Sequence, residues 1–354
     1  MNVDLVKKRS EIVKLVRQWF DNQGFLEMLT PRLVGLPGQE PYLEPFWTEV
    51  HSDNPLASVR LWRDKGGQGG FPAALITSPE YSMKRLLAAG FDKIYDLGPC
   101  FRNNEPWDGI HDPEFLMLEW YRRDAGVKEL MDDTENMMRW VAQQCSVASG
   151  QSLATVYQLP STSFRRLTVE QAWREYAGVE LSPLLGDREA MAKLAVEKFG
   201  QTVNPDDNWD DIYFKIFLSH IEEKLGLEQP TFLYRYPASQ AALARRSADD
   251  PRWAERVELY VGPFELANGF AELCDSDEQR ARFLEEKALR SKQGRKSWPL
   301  DERFLSDLPK MGNAAGIAFG VERLVMLLTG ANSINDILPF PARERFNPLP
   351  EKPM

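Results

Sequence analysis

Three short stretches of this chain carry residue types that could do chemistry. The first is FRNNEPWDGIHDPEFLMLEWY, residues 101–121, which sets Arg102, His111 and five carboxylates between apolar edges. A polar loop leaves a strand end at Phe101-Arg102 and returns as a strand from Glu114 to Tyr121. Alternation puts Phe115, Met117, Glu119 and Tyr121 on one face of the return strand. Such a floor suits an ammonium ion, because the carboxylate pairs with it and the phenol adds a hydrogen bond. The solvated face of an antiparallel sheet has the same pattern.

The second stretch is FELANGFAEL, residues 264–273, where Glu265 and Glu272 flank Asn268-Gly269, which reads as a glycine bend. Two carboxylates so placed suit Mg²⁺, which takes a few carboxylates together with substrate phosphates. A surface hairpin with acidic sides would look alike. The third is GIAFGVERL, residues 316–324. Gly316 and Gly320 on a strand let a flat ligand approach the backbone, and Arg323 falls in the first turn of the following helix. As a phosphate clamp Arg323 needs a second arginine, and Arg102 is the candidate.

The elements that must position these residues are legible in outline. Leu5, Ile12, Leu15, Val16 and Trp19 recur at helical spacing and predict a helix over 4–22, stopped by Gly24. A strand at Phe25–Met28 and Thr30-Pro31 follow. Residues 35–72 are rich in Gly and Pro and read as loops around short strands, with GGQGG at 66–70 as a hairpin tip. Ser78-Pro79-Glu80 opens the next helix, with Ser as N-cap and Gly90 beyond its end. Another helix is expected over 127–145. Residues 146–230 read as an inserted, mostly helical subregion, with a capping box at Thr168-x-x-Gln171 and a helix near 209–225. Strands return at 231–236 and 256–261, a charged helix spans 277–290, and GIAFGVERLVMLLTG runs a strand straight into a helix.

Bulk composition narrows the function classes. The formal net charge of −10 argues against a protein built mainly to hold a polyphosphate backbone. Three widely spaced cysteines form neither a CxxC metal pair nor a disulfide framework, which points to a reducing compartment. MNVDLVKKRS has no apolar core of signal-peptide length, and no apolar run reaches membrane-span length. The expectation is a soluble, cytoplasmic protein.

Taken together, these residues resemble the catalytic core of class II aminoacyl-tRNA synthetases, and within these the lysine branch, whose three signature motifs appear in order. The first motif is the helix, strand and LTP ending at Pro31, the second is the stretch at 101–121, and the third is GIAFGVERLVML. SPEYSMKRLL at 78–87 and ELANGFAEL are lysine-branch features. The resemblance runs from about residue 5 to 340. It is closer still to a paralogous family, the elongation factor P beta-lysyltransferases, on TSPEYSMKRLL, PEFLMLEWYR, PASQAALA and ELANGF. With the first core helix predicted almost at Met1, the expectation is a chain without the anticodon-binding barrel of a lysyl-tRNA synthetase.

The resemblance implies an α+β fold: a single catalytic domain over 1–354 with an antiparallel sheet flanked by helices, acting as a homodimer with Pro31 at the interface. It implies ATP-dependent activation of (R)-beta-lysine, or lysine, as an acyl adenylate. The acyl group would then pass to a lysine side chain of elongation factor P, with neither tRNA nor membrane as partner. Arg102 and Arg323 would bracket the ATP phosphates. Asn103, Asn104, Glu105, His111, Asp112, Leu266 and Gly320 would join them around the nucleotide, with Phe115 under the adenine. Glu265 and Glu272 would hold Mg²⁺. Ser78, Pro79, Glu80, Glu119, Tyr121, Asn268, Glu272 and Ala318 would line the amino-acid pocket.

The chain departs from the pattern in places. Asn104 stands where the second motif usually has Glu, and Glu105 follows. Trp107, Asp108, Gly109 and Ile110 supply no cation where the family's loop reaches the γ-phosphate. Ala318 replaces the glycine of lysyl-tRNA synthetases, as in the paralogues, and Glu322 replaces the usual Asp. Two rival readings remain at this stage: a shortened lysyl-tRNA synthetase, and a non-catalytic paralogue that binds an amino acid or a partner protein.

Overall fold

The apolar stripe predicted over 4–22 forms α1 (Val3–Asn22), which buries Ile12, Val13, Val16, Trp19 and Phe20; Asn2 caps it by accepting the Leu5 N–H. The structure, a computed structural model, describes residues 1–51, 70–149, 159 and 162–346. Next come β1 (Leu26–Glu27), β2 (Leu33–Val34), β3 (Trp47–His51), β4 (Gly70–Leu75) and α2 (Glu80–Ala88). Most of the predicted hairpin tip at 66–70 lies outside the described residues. Then follow β5 (Lys93–Phe101), β6 (Glu114–Arg123), α3 (Val127–Ser149), β7 (Arg165–Thr168), α4 (Val169–Ala172), α5 (Arg188–Glu197) and α6 (Trp209–His220). The chain continues through β8 (Thr231–Pro237), β9 (Trp253–Val261), β10 (Phe264–Ala271), α7 (Ser276–Lys292) and α8 (Glu302–Asp307). It closes with β11 (Ala314–Gly320), α9 (Val321–Thr329), α10 (Ile334–Ile337) and α11 (Ala342–Arg345).

The chain divides into two compact units. The first comprises residues 1–123, 274–312 and 320–354; the second comprises 124–273 and 313–319. The first unit pairs β5 with β6 antiparallel, in a register that sets Asp96 opposite Glu119 and Cys100 opposite Phe115. β1 lies parallel to β5, and β2, β4 and β3 form a small antiparallel sheet. Helix α1 packs on α9, and α9 packs on β6.

The second unit runs β8, β9, β10 and β11 antiparallel, with β7 parallel to β8. The fold is thus α+β. The expected antiparallel pairing dominates, and two parallel pairs add to it. The helices of 169–220 gather a core around Trp173, Trp209, Tyr213 and Phe217. The capping box of Thr168 and Gln171 opens α4 as the sequence predicts. None of the three cysteines is in a disulfide. Among the described residues, no helix is long and apolar enough to cross a membrane.

Candidate active site

In the first unit the site grows from the β5–β6 pair. Glu119 is 1% exposed. Tyr121 Oη donates to its Oε2 at 2.8 Å, so the alternation read from the sequence does bring these two side chains together. Ser78 Oγ donates to its Oε1 at 2.5 Å. The same Ser78 oxygen accepts the Glu80 N–H at 3.1 Å, at the start of α2. The N-cap position itself falls on Pro79, one residue later than predicted, so the Ser78 hydroxyl serves Glu119 as well as the helix. Burial, and then the nearby Glu80, push the Glu119 carboxyl up to about 8, against the Ser78 and Tyr121 hydrogen bonds. Glu80 pairs with the fully buried Lys84 at 2.5 Å, one helical turn on.

Arg102 leaves the end of β5 and lies 5.1 Å from the Phe115 ring centroid. Its Nε is buried, with no hydrogen-bond partner among the described residues. An unsatisfied buried donor costs about 1–3 kcal/mol, so this Nε–H calls for an acceptor. Arg323 approaches the other side of the loop, with Nη2 at 3.4 Å from His111 Nε2. If Arg323 donates, the ring proton sits on His111 Nδ1, which is 3.0 Å from Asp108 Oδ2.

The loop between them is shaped by Asn104 and Gly109, both at positive φ (63° and 95°). Asn tolerates the left-handed region far better than Glu, which gives the Asn104 departure a physical reason. Asn103 Oδ1 accepts the Asn104 N–H, and the Asn103 N–H reaches Glu44 O at 2.7 Å. Glu105 is half-buried beyond the turn.

Sequence reasoning missed what holds this loop in place. Asp112 turns to the C-terminal segment: it accepts the Ala342 N–H at 2.7 Å and the Glu114 N–H, and it pairs with Arg345. Arg345 also reaches Glu114 at 2.6 Å, Arg343 donates to Trp107 O at 3.2 Å, and Phe346 stacks on Trp107. Cations the loop lacks in its own sequence therefore come to it from α11. Glu322, read as a mild replacement, ties α9 down. It accepts the Leu116 N–H at 3.1 Å and the Arg9 guanidinium at 2.8 Å, and so fixes the backbone next to Gly320 and Arg323.

In the second unit the strands replace an expected bend. Asn268-Gly269 lies in mid-strand in β10, and the turn falls earlier, at Gly262. A side chain at Gly269 would collide with Ile317 on β11, so glycine here permits close strand approach. Residues seven apart in a regular strand point to opposite faces. A bulge between Glu265 and Ala267 inserts Leu266 as an extra residue and restores Glu265 to the face that carries Asn268 and Glu272. Ala318 stands directly across from Asn268 on β11, so it shares that face.

Two carboxylates on one face supply the hard oxygen donors that Mg²⁺ takes. Asn268 is oriented in turn. Arg256 Nε donates to its Oδ1 at 3.3 Å, which leaves the amide NH₂ as a donor to a ligand. Arg256 is held by Glu258 at 2.5 Å and Gln240 O at 2.8 Å, and Tyr236 and Tyr260 both donate to Glu258.

Known proteins share this sequence along most of its length. A family model described as tRNA synthetases class II (D, K and N) matches residues 2–344. The elongation factor P--(R)-beta-lysine ligase of Proteus mirabilis is 37% identical over 336 residues, 94% of this chain and 94% of that protein. The protein of the same name from Yersinia enterocolitica is 36% identical over 339 residues, again 94% of each. That from Salmonella heidelberg is 36% identical over 338 residues, 94% of this chain and 93% of its own.

Proposed function

The chain belongs to the class II tRNA synthetases (D, K and N), within them to the group of the elongation factor P--(R)-beta-lysine ligases, and on that premise we propose its reaction. It activates (R)-beta-lysine, or lysine, with ATP as an acyl adenylate and passes the acyl group to a lysine side chain of elongation factor P. The observation that carries this reading is Glu119, buried and held between Ser78 and Tyr121. Burial disfavours a carboxylate, and a substrate ammonium is the partner that restores its charge.

The chemistry follows from positioning and electrostatics. The substrate carboxylate attacks the α-phosphorus of ATP in line, and pyrophosphate leaves. Little covalent work is asked of the protein. Arg102 and Arg323 stabilise the charge that builds on the phosphates, with His111 orienting Arg323 and Phe115 offering a surface to the adenine. Asn103, Asn104, Glu105, Asp112 and Gly320 line the nucleotide site. Mg²⁺, held by Glu265 and Glu272, would neutralise phosphate charge. In the first unit Glu119, Tyr121, Ser78 and Glu80, beside Pro79, receive the amino groups; in the second, Asn268 and Glu272 offer polar groups to the amino acid. The Ala318 methyl stands across from Asn268, and one methyl there is worth about 1–3 kcal/mol in discriminating substrates of different branching.

We further propose a homodimer about Pro31. Leu26, Leu29 and Leu33 near it are 54%, 86% and 43% exposed, an apolar strip that suits a second copy of the chain. With a translation factor as acceptor, the reaction belongs in the cytoplasm.

Incubating the protein with ATP, (R)-beta-lysine and elongation factor P tests the reading. Intact-mass analysis should find the acceptor heavier by one lysyl group, in an ATP-dependent manner. An acceptor of unchanged mass, with tRNA acylated in its place, would overturn it.

A further inference from the structure

The transfer step needs an amine that is neutral when it attacks, and a lysine of ordinary pKa, about 10.4, is almost wholly charged at neutral pH. None of the residues assigned above takes that proton. The loop at 36–44 brings a carboxylate to the right neighbourhood in the first unit. Glu40 lines a cavity together with Ser78, Glu80, Tyr81 and Ser82. The loop is pinned at both ends. Fully buried Arg290 donates to Glu40 O at 3.0 Å and Leu43 O at 2.8 Å, pairs with Glu44 at 2.7 Å, and stacks on Trp298. Glu44 O accepts the N–H of Asn103, the residue after Arg102. The Glu40 carboxylate folds back over Gly38, where a Cβ would collide with it.

We propose that Glu40 is the general base of the transfer step. This rests on the reaction proposed above. Glu40 takes one proton from the acceptor ammonium. The freed lone pair forms the C–N bond at the acyl carbon, and the C–O bond to phosphate breaks, with AMP leaving on that electron pair. The second nitrogen proton goes to the departing phosphate oxygen.

The charges around Glu40 suit the role. Burial, and then Glu80, raise its pKa, while its own backbone N–H, Arg102 and Arg290 pull the other way. A raised carboxyl is better matched to an ammonium. From α7, Glu286 also faces it, itself pushed up to about 8 by burial and then by Glu40. From α2, Tyr81 faces it, and Lys84 stays engaged with Glu80.

The test separates the half-reactions in the full-length protein. In Glu40→Gln, ATP–pyrophosphate exchange should fall far less than transfer, because no bond to hydrogen breaks at Glu40 during activation. Transfer from preformed adenylate to elongation factor P should fall about 10²–10⁴-fold, the range general-base catalysis supplies. Trapping of the adenylate by hydroxylamine, an amine already neutral at neutral pH, should be unchanged. Gly38→Ala, which displaces the carboxylate without removing it, should show the same pattern in milder form. Unimpaired transfer in Glu40→Gln, or an equal loss of exchange and transfer, would overturn the assignment. Absence of exchange in the wild type would instead remove the reaction on which it rests.

Discussion

Arg323→Ala is expected to lower adenylate formation by about 10³-fold or more while leaving the fold intact. A preorganised charge aimed at a developing anion is worth about 10²–10³-fold per donor, and an arginine on a transferring phosphoryl group about 10³–10⁵-fold. Arg323 fits that description because its backbone is fixed independently of its side chain. Glu322 anchors the first turn of α9 on Leu116 and Arg9, so truncating Arg323 leaves that anchor in place. The melting temperature should hardly move. Arg323→Lys should recover only part of the rate, since a lysine ammonium cannot make bidentate contacts with phosphate oxygens. ATP–pyrophosphate exchange reads the effect, and full exchange in the alanine variant would take Arg323 out of the clamp.

Glu119→Gln should weaken amino-acid binding by about 10²-fold with little change for ATP, because a buried carboxylate–ammonium contact loses its charge assistance. The pH dependence sharpens this. With its pKa near 8, Glu119 keeps its proton in the folded protein at neutral pH. The unfolded chain gives that proton up at an ordinary carboxylate pKa of about 4.3. Between these values the folded state binds more protons than the unfolded state, so this group makes stability fall as pH rises. Above about pH 8 the full cost is present, and there Glu119→Gln should be more stable than wild type.

An ammonium ligand favours the ionised carboxylate, so its binding expels the Glu119 proton. The KM for the amino acid should therefore fall as pH rises from 6 to 8 in the wild type, and stay flat in Glu119→Gln. Equal losses for ATP and amino acid, or a KM that ignores pH in the wild type, would remove Glu119 from the ammonium pocket.

Periodicity and residue type sufficed for some of this architecture and failed for identifiable reasons elsewhere. The face of β6 was legible because strand alternation is rigid, and Glu119 and Tyr121 meet as the pattern requires. The capping box at Thr168 and the helix over Val3–Asn22 were legible because both depend on residues close in sequence. The β10 face was not, because one inserted residue at Leu266 reverses the parity of Glu265. Alternation has no way to announce a bulge, and Asn268-Gly269 looks like a turn until β11 is seen lying against it.

Contacts distant in sequence were hidden for a different reason. Arg345 reaches Asp112 across 233 positions, and Arg290 reaches Glu40 across 250. Glu40 itself sat in a Gly- and Pro-rich segment that reads as an ordinary loop. Its position in a cavity wall depends on a buried arginine that the sequence presents as one more charge on a charged helix.

The adenylating site is tested most directly by ATP–pyrophosphate exchange measured with (R)-beta-lysine and alpha-lysine side by side. Amino-acid-dependent exchange that favours (R)-beta-lysine is expected. Exchange with neither would contradict an adenylating site, and exchange driven by alpha-lysine alone would contradict the substrate assigned to it.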